Sequence, residues 1–250
     1  VGIVDLDGAA AATTLKTLKL TTTGEASDIS LSAVGVETLT IAAGADLDVS
    51  NNAATGLAAV KTVTISGTGD VNLGDISSKL ETLTASAATG AISATVDGTK
   101  ATVTTGSGAD EITVNTTTAI SKAIDLGAGD DTLILTDDTT AIPTAAVAGG
   151  TGTDTISMTS VSADAFDINT NFAAAISGFE KLEISDTFLN AAATQETLIL
   201  DMEKLGFNYV ITNGTGTSTL QDRISLTNLA AANATVELNK NGLVIAALKT

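Results

Sequence analysis

Cysteine and histidine are both missing from the 250 residues. Their absence removes disulfide staples, thiol chemistry, ordinary zinc ligation and every catalytic triad that uses imidazole. Aromatic residues make up only 2%, with no Trp and one Tyr, so a core has to be built from Ala, Val, Leu, Ile and Thr. Small and β-branched side chains suit a thin interior in which each layer of chain offers little depth. A single proline, Pro143, interrupts the sequence, and no Pro-rich linker divides it. No run approaches the roughly 18 apolar residues of a membrane-spanning helix; the best is the short stretch from Leu243 to Leu248. Basic residues are scarce, 11 Lys and Arg against 29 Asp and Glu, which gives a formal charge of −18. Such a surface repels nucleic acid and anionic membrane, and divalent cations would relieve its self-repulsion. The chain begins at Val1, without an initiating Met or a basic-then-apolar leader, the expectation for a processed piece of a longer protein.

What the chain does have is glycine paired with aspartate at regular spacing. TGSGADEIT from Thr105, LGAGDDTLI from Leu126 and GGTGTDTIS from Gly149 share glycine at the second and fourth positions and aspartate at the sixth. The eighth positions, Ile112, Leu133 and Ile156, fall in short β-type segments. Glycine lets the backbone take positive φ and turn its carbonyls toward one point. The pattern is that of the nonapeptide calcium repeat. Calcium is a hard cation that takes about six to eight oxygens, so one turn needs its neighbour to complete a shell. The candidate ligands are the carboxylates of Asp110, Asp131 and Asp154, with main-chain oxygens from Gly106, Ser107, Gly108, Gly127, Ala128, Gly129, Gly150, Thr151 and Gly152. The aspartates lie 21 and 23 residues apart, one coil of a solenoid, and three stacked turns leave two gaps for two ions. A lone GxGxxD would say little, because both residues populate any turn. A fourth copy, NGTGTSTLQ from Asn213, carries Ser218 where the aspartate belongs, with Asp222 nearby.

An apolar repeat runs through the flanks: LKTLKL from Leu15, VETLTI from Val36, VKTVTI from Val60, LETLTA from Leu80 and FEKLEI from Phe179. The first four begin 21, 24 and 20 residues apart. Leu18, Leu20, Leu39, Ile41, Val63, Ile65, Leu83 and Ala85 alternate with polar residues, which places them inward and makes Thr17, Thr38, Thr62 and Thr82 an outward ladder. Stretches such as SGTGDVNLGDIS from Ser66 hold a second short strand per coil. The fold expected is all-β, a parallel β-solenoid with coils of about 20–24 residues. Residues 1–104 form coils without a clear metal motif, 105–159 the calcium-binding coils, and 160–250 a β-rich, less regular continuation or cap. Within the last segment a helical or irregular insertion is expected around Asn171 to Ile176, and TLILDMEKLGF reads as a strand followed by a turn or helix. YVIT, DRISLTNL, ATVELNKNG and LVIAAL read as strands, and VELNKNGLVIA as a hairpin turning at Asn239 to Gly242.

Together these residues resemble the RTX-type calcium-binding surface-layer (S-layer) proteins of Gram-negative bacteria. The likeness is strongest from Val63 to Ile184, through SGTGDVNL, the three turns and SGFEKLEIS, and includes ISLTNLAAANATVEL; the first sixty residues agree only in composition and period. The resemblance implies an RTX β-roll or β-helix that needs Ca2+, leaves the cell through a type I system, and forms a two-dimensional lattice of its own copies on the extracellular cell surface. It also implies Asp110, Asp131 and Asp154 as the carboxylate ligands. Thr105 and Leu126 depart from the family by replacing the first glycine of two copies. The family's lipopolysaccharide-binding region and export signal are not recognisable, so anchoring to lipopolysaccharide would use a part not present here. Neither nucleic acid nor membrane insertion is implied.

Other readings stay open. An RTX adhesin segment or the secretion module of an RTX exoenzyme would share these turns, although no zinc motif or GxSxG elbow occurs here. A polysaccharide lyase would pair calcium with a basic residue, for which the sole arginine, Arg223 beside Asp222, is the candidate. Paired threonines at Thr38 and Thr40, Thr62 and Thr64, and Thr82 and Thr84 are also a feature of ice-binding solenoids, with Lys19 and Glu183 breaking the series. Adjacent carboxylates such as Asp130 with Asp131, or Asp137 with Asp138, point to opposite faces of a strand, so no catalytic residue is assigned and no enzyme is expected. Asp46, Asp48, Asp70 and Asp75 are either further cation ligands between upstream coils or solvated turn residues.

Overall fold

The computed structural model describes residues 2–5, 15–50, 53–115, 117–136, 139–169, 171–186, 197–213, 223–229, 234–239 and 244–249. Strict alternation of apolar and polar residues makes each short segment a strand with one face to bury. No single coil can bury that face alone, so successive coils stack in parallel. Strands Thr17–Thr22, Thr38–Ala43, Thr62–Gly67, Thr82–Ala88, Thr102–Thr104, Ile124–Asp125, Val147–Ala148 and Ile176–Ser177 lie side by side in an 8-stranded sheet. The alternate strands, from Gly2–Asp5 through Glu111–Val114, Thr132–Leu135, Thr155–Met158 and Lys181–Ile184 to Thr235–Leu238, form an 11-stranded sheet. The result is a two-faced parallel β-solenoid. A third sheet of three strands, Thr197–Asp201, Arg223–Thr227 and Val244–Lys249, continues the alternation after the 8-stranded sheet ends at Ile176–Ser177.

The core is two facing stacks of apolar side chains. Leu39, Val63, Leu83, Val103, Ile124 and Val147 line one sheet, and Ile112, Leu133, Ile156, Leu182 and Val210 the other, all buried. Fully burying such a side chain stabilises by roughly 1.5–3 kcal/mol, which is how a chain with almost no aromatic bulk stays folded. The outward threonines fall in register as the alternation requires, Thr17 beside Thr38, then Thr62, Thr82 and Thr102. At the start of the same strands Glu37 sits between Lys16 at 2.8 Å and Lys61 at 3.0 Å, and the two ammonium groups hold its carboxyl down at about 2. Exposed bridges of this kind add little stability, but a one-coil slip would lose both contacts.

Among the described residues four short helices interrupt the coils: α1 (Ala53–Gly56), α2 (Ser160–Asp167), α3 (Phe172–Ala175) and α4 (Met202–Leu205). The third lies where an insertion was expected, and the fourth follows the strand of TLILDMEKLGF. The sequence reading missed α2, which Thr159 caps by accepting the Ser162 N–H. Phe166 and Phe172 bury their rings against each other, centroids 5.0 Å apart, so the insertion carries its own small core.

Two expectations are corrected. FEKLEI is not a fifth copy of the apolar repeat, because Lys181–Ile184 pairs with Thr155–Met158 in the 11-stranded sheet. Its alternation would suit either face; the slot in the 8-stranded sheet is already taken by Ile176–Ser177 after the helices. Nor is VELNKNGLVIA a hairpin. Thr235–Leu238 pairs in parallel with Tyr209–Thr212 and Val244–Lys249 with Arg223–Thr227, so each strand finds its ladder on the preceding coil and in a different sheet. Ser218, Asp222, Asp137, Asp138 and most of the Asn239 to Gly242 turn lie outside the described residues. Among the described residues no helix is long and apolar enough to cross a membrane.

Candidate metal centre

All three Gly-Asp turns fall on one edge of the solenoid, where the chain leaves the 8-stranded sheet for the 11-stranded one. Strand register aligns them: Glu111 pairs with Thr132 and Thr132 with Thr155, so the residues just before, Asp110, Asp131 and Asp154, stand one above another. Upstream, the same column holds Leu47, Val71 and Ile92. The aspartates therefore continue a line of core side chains. They are 1%, 1% and 0% exposed.

Each carboxylate is tied to the coil before it. Asp110 Oδ1 accepts the Ile92 N–H at 2.7 Å, Asp131 Oδ1 the Asp110 N–H at 2.7 Å, and Asp154 Oδ1 the Asp131 N–H at 2.8 Å. Glu180 repeats the contact one coil later, its Oε2 accepting the Asp154 N–H at 2.8 Å. Sequence reasoning passed over Glu180 because it lies inside FEKLEI, yet it stands just before the strand as the sixth residue of each Gly-Asp turn does.

The second carboxylate oxygens differ. Asp110 Oδ2 accepts the Gly106 N–H at 3.3 Å, whereas Asp131 Oδ2 and Asp154 Oδ2 are buried with no hydrogen-bond partner. A buried, unpaired carboxylate oxygen is costly, and here two occur in adjacent coils. Burial raises the pKa of all three aspartates against the opposing effect of the backbone N–H bonds. For Asp131, with Asp110, Asp154 and Asp130 adding repulsion, it is pushed up to about 7. None of the three turns contains a Lys or Arg to offset these charges.

The glycines are required by contact as much as by φ. A Cβ on Gly150 would lie 1.9 Å from the Gly127 carbonyl oxygen, and one on Gly152 1.8 Å from that of Gly129. Positive φ was expected at the second and fourth positions of every copy, but only Gly127, Gly129, Gly150 and Gly152 adopt it. Gly106 and Gly108 keep the ordinary sign because they stack on residues 88–90, which are not a GxGxxD turn; a Cβ there would still meet the Ala88 and Gly90 oxygens at 2.0 and 2.4 Å. The remaining candidates join the same edge: the Ala128 N–H donates to Gly106, Thr151 to Gly127 and Ser107 to Ala88. Among the described residues no group of three or more carboxylates converges on one point. Each gap brings two, so a hard cation held there would have to draw its other oxygens from main-chain carbonyls.

The upstream aspartates occupy different positions. Asp46 and Asp70 precede Leu47 and Val71 and are exposed; each accepts the N–H of the following coil, from Asp70 at 3.0 Å and Ala91 at 2.7 Å. Asp130 does the same for Thr153 at 2.9 Å. Asp48 is held by Ser50 and Asn72 on the outer face of its strand, and Asp75 ends its strand toward the opposite edge. None of them enters the buried column. Comparison with protein-family models, with curated proteins and with solved structures finds no match for this chain.

Proposed function

We propose that this chain is a structural segment of a secreted bacterial surface layer, a calcium-stabilised solenoid that folds outside the cell and assembles with copies of itself into a lattice. The observation that carries the calcium part is the buried column Asp110, Asp131, Asp154, with orphaned oxygens on its last two members. Asp110 with Asp131, and Asp131 with Asp154, would each hold one ion together with carbonyls of the adjoining glycine turns. A bound dication supplies the positive charge that three stacked carboxylates lack, and turns a desolvation cost into a clamp between coils. Because calcium would bind the folded chain alone, stabilisation grows as RT ln(1 + [L]/Kd), and millimolar calcium outside a cell against trace levels inside makes folding conditional on export. The lattice part is supported by the resemblance of the turns and their flanks to the surface-layer family.

Calcium titration followed by circular dichroism and by negative-stain electron microscopy tests both parts. The expected result is a calcium-dependent gain of β signal, then ordered sheets. A spectrum unchanged by exhaustive chelation would sink the calcium switch. Calcium-dependent folding without any assembly would instead favour an adhesin segment or the secretion module of an exoenzyme.

A further inference from the structure

The carboxylate column does not stop at the third Gly-Asp turn. Lys181 pairs with Thr155, so Glu180 stands directly after Asp154 in the stack. The loop that carries it, residues 178–180, lacks the GxGxxD spacing and has a single glycine, Gly178, at φ 67. Yet Glu180 holds Asp154 by the contact through which Asp154 holds Asp131.

Two features open this last gap toward a ligand. Asp154 is 0% exposed and its Oδ2 has no partner. Across the turn stands Gly149, at the position filled by Thr105 and Leu126 in the earlier copies, both of them buried side chains. A Cβ on Gly149 would lie 2.8 Å from Asp154 Oδ2 and 2.1 Å from the Gly178 carbonyl oxygen. The missing side chain thus lets an orphaned carboxylate oxygen of one coil and a main-chain oxygen of the next close on the same point beside the Gly149 backbone. In the first copy the same position is closed: the buried Thr105 side chain fills it, its hydroxyl donating to the Leu126 carbonyl.

We propose that this gap is a third cation site, for a hard divalent ion such as calcium, held by Asp154, Glu180 and the Gly178 carbonyl. The inference rests on reading the two inner gaps as calcium sites. Fewer protein oxygens meet here than between two full turns, and Glu180 is exposed, so water completes the shell and this ion is the first to leave as calcium falls. Its position has a consequence for the fold. The loop 178–180 joins the last strand of the 8-stranded sheet to Lys181–Ile184, so the ion ties the regular coils to the part that follows the helical insertion.

Native mass spectrometry of the whole chain, titrated with calcium alone, is the test. The parent is expected to take three ions, the third at higher calcium than the others. Glu180→Gln, which keeps an oxygen for the Asp154 N–H, should take two; Asp70→Asn, on the same edge but outside the column, should keep three. Hydrogen exchange on the unmutated parent gives a second readout, since the last calcium step should protect residues 149–154 and 177–184. A parent that saturates at two ions, an unchanged Glu180→Gln titration, or a last step that protects other residues overturns this site and leaves the inner two standing. A parent that binds no calcium overturns both readings.

Discussion

Asp131 stacks between Asp110 and Asp154, and burial with that repulsion moves its pKa from 3.8 to about 7. Without metal the folded chain therefore binds more protons than the unfolded one between those values, and its stability falls as pH rises from about 4 to about 7. Calcium bound at the column would compete with the same protons, so its stabilisation would grow over that interval. Thermal melts in chelator should give a higher Tm near pH 5 than near pH 7.5, and excess calcium should reverse the order; a chelated Tm that climbs with pH contradicts the buried column. Asp131→Asn removes the charge and keeps an acceptor for the Asp110 N–H. It should raise chelated stability at neutral pH by on the order of 1–3 kcal/mol while abolishing most of the gain from calcium, because both inner gaps lose a carboxylate. Gly150→Ala is expected to behave differently. With φ at +112 and a Cβ 1.9 Å from the Gly127 carbonyl oxygen, it should cost on the order of 3 kcal/mol with or without calcium, in parallel chelated and calcium-loaded denaturant titrations.

Strand positions were legible in the sequence because alternation and spacing are local facts. Leu39, Val63 and Leu83 pointed inward, Thr38, Thr62 and Thr82 pointed outward, and the coil length followed from repeats about 20 to 24 residues apart. The face a strand belongs to was not legible once the period slipped. Between Val147 and Ile176 the coil spans 29 residues, so FEKLEI could not be placed by counting. Its acid, Glu180, was consequently read as part of an apolar repeat although it completes the carboxylate stack. The insertion responsible also yields a prediction. Among the described residues Phe166 and Phe172 are the largest fully buried side chains, and helices α2 and α4 both rest against Thr197–Asp201. Phe166→Ala should cost roughly 3–5 kcal/mol, concentrated in the coils after Ser160, and hydrogen exchange should show protection lost there while Thr62–Gly67 and Thr82–Ala88 keep theirs. Uniform loss across the chain would mean that the helices are not a separate support.

Across the whole molecule, stability in a stack of coils is close to a sum of each coil's own contribution and its contacts with its neighbours. The two halves of this stack are built differently on their shared edge. From Leu47 to Ile92 the column is apolar, and Asp46 and Asp70 stay outside in contact with water and the next coil's N–H groups. From Asp110 to Glu180 the column is carboxylate, and two of its oxygens have no protein partner. Removing calcium should therefore not melt the chain as one unit. The formal charge of −18 weakens every coil alike through long-range repulsion, which salt screens; the desolvated carboxylates weaken only the coils that carry them, and salt reaches them poorly. Hydrogen exchange in chelator should show early loss of protection from about residue 102 to residue 184, with the strands from Thr38 to Val96 surviving. Raising sodium chloride should slow exchange modestly everywhere without restoring the difference, whereas calcium should restore the middle coils selectively. Simultaneous loss of protection along the whole stack would show that the upstream coils depend on the carboxylate-bearing ones for their own folding, and would move the proposed clamp from one edge of the middle coils to the fold as a whole.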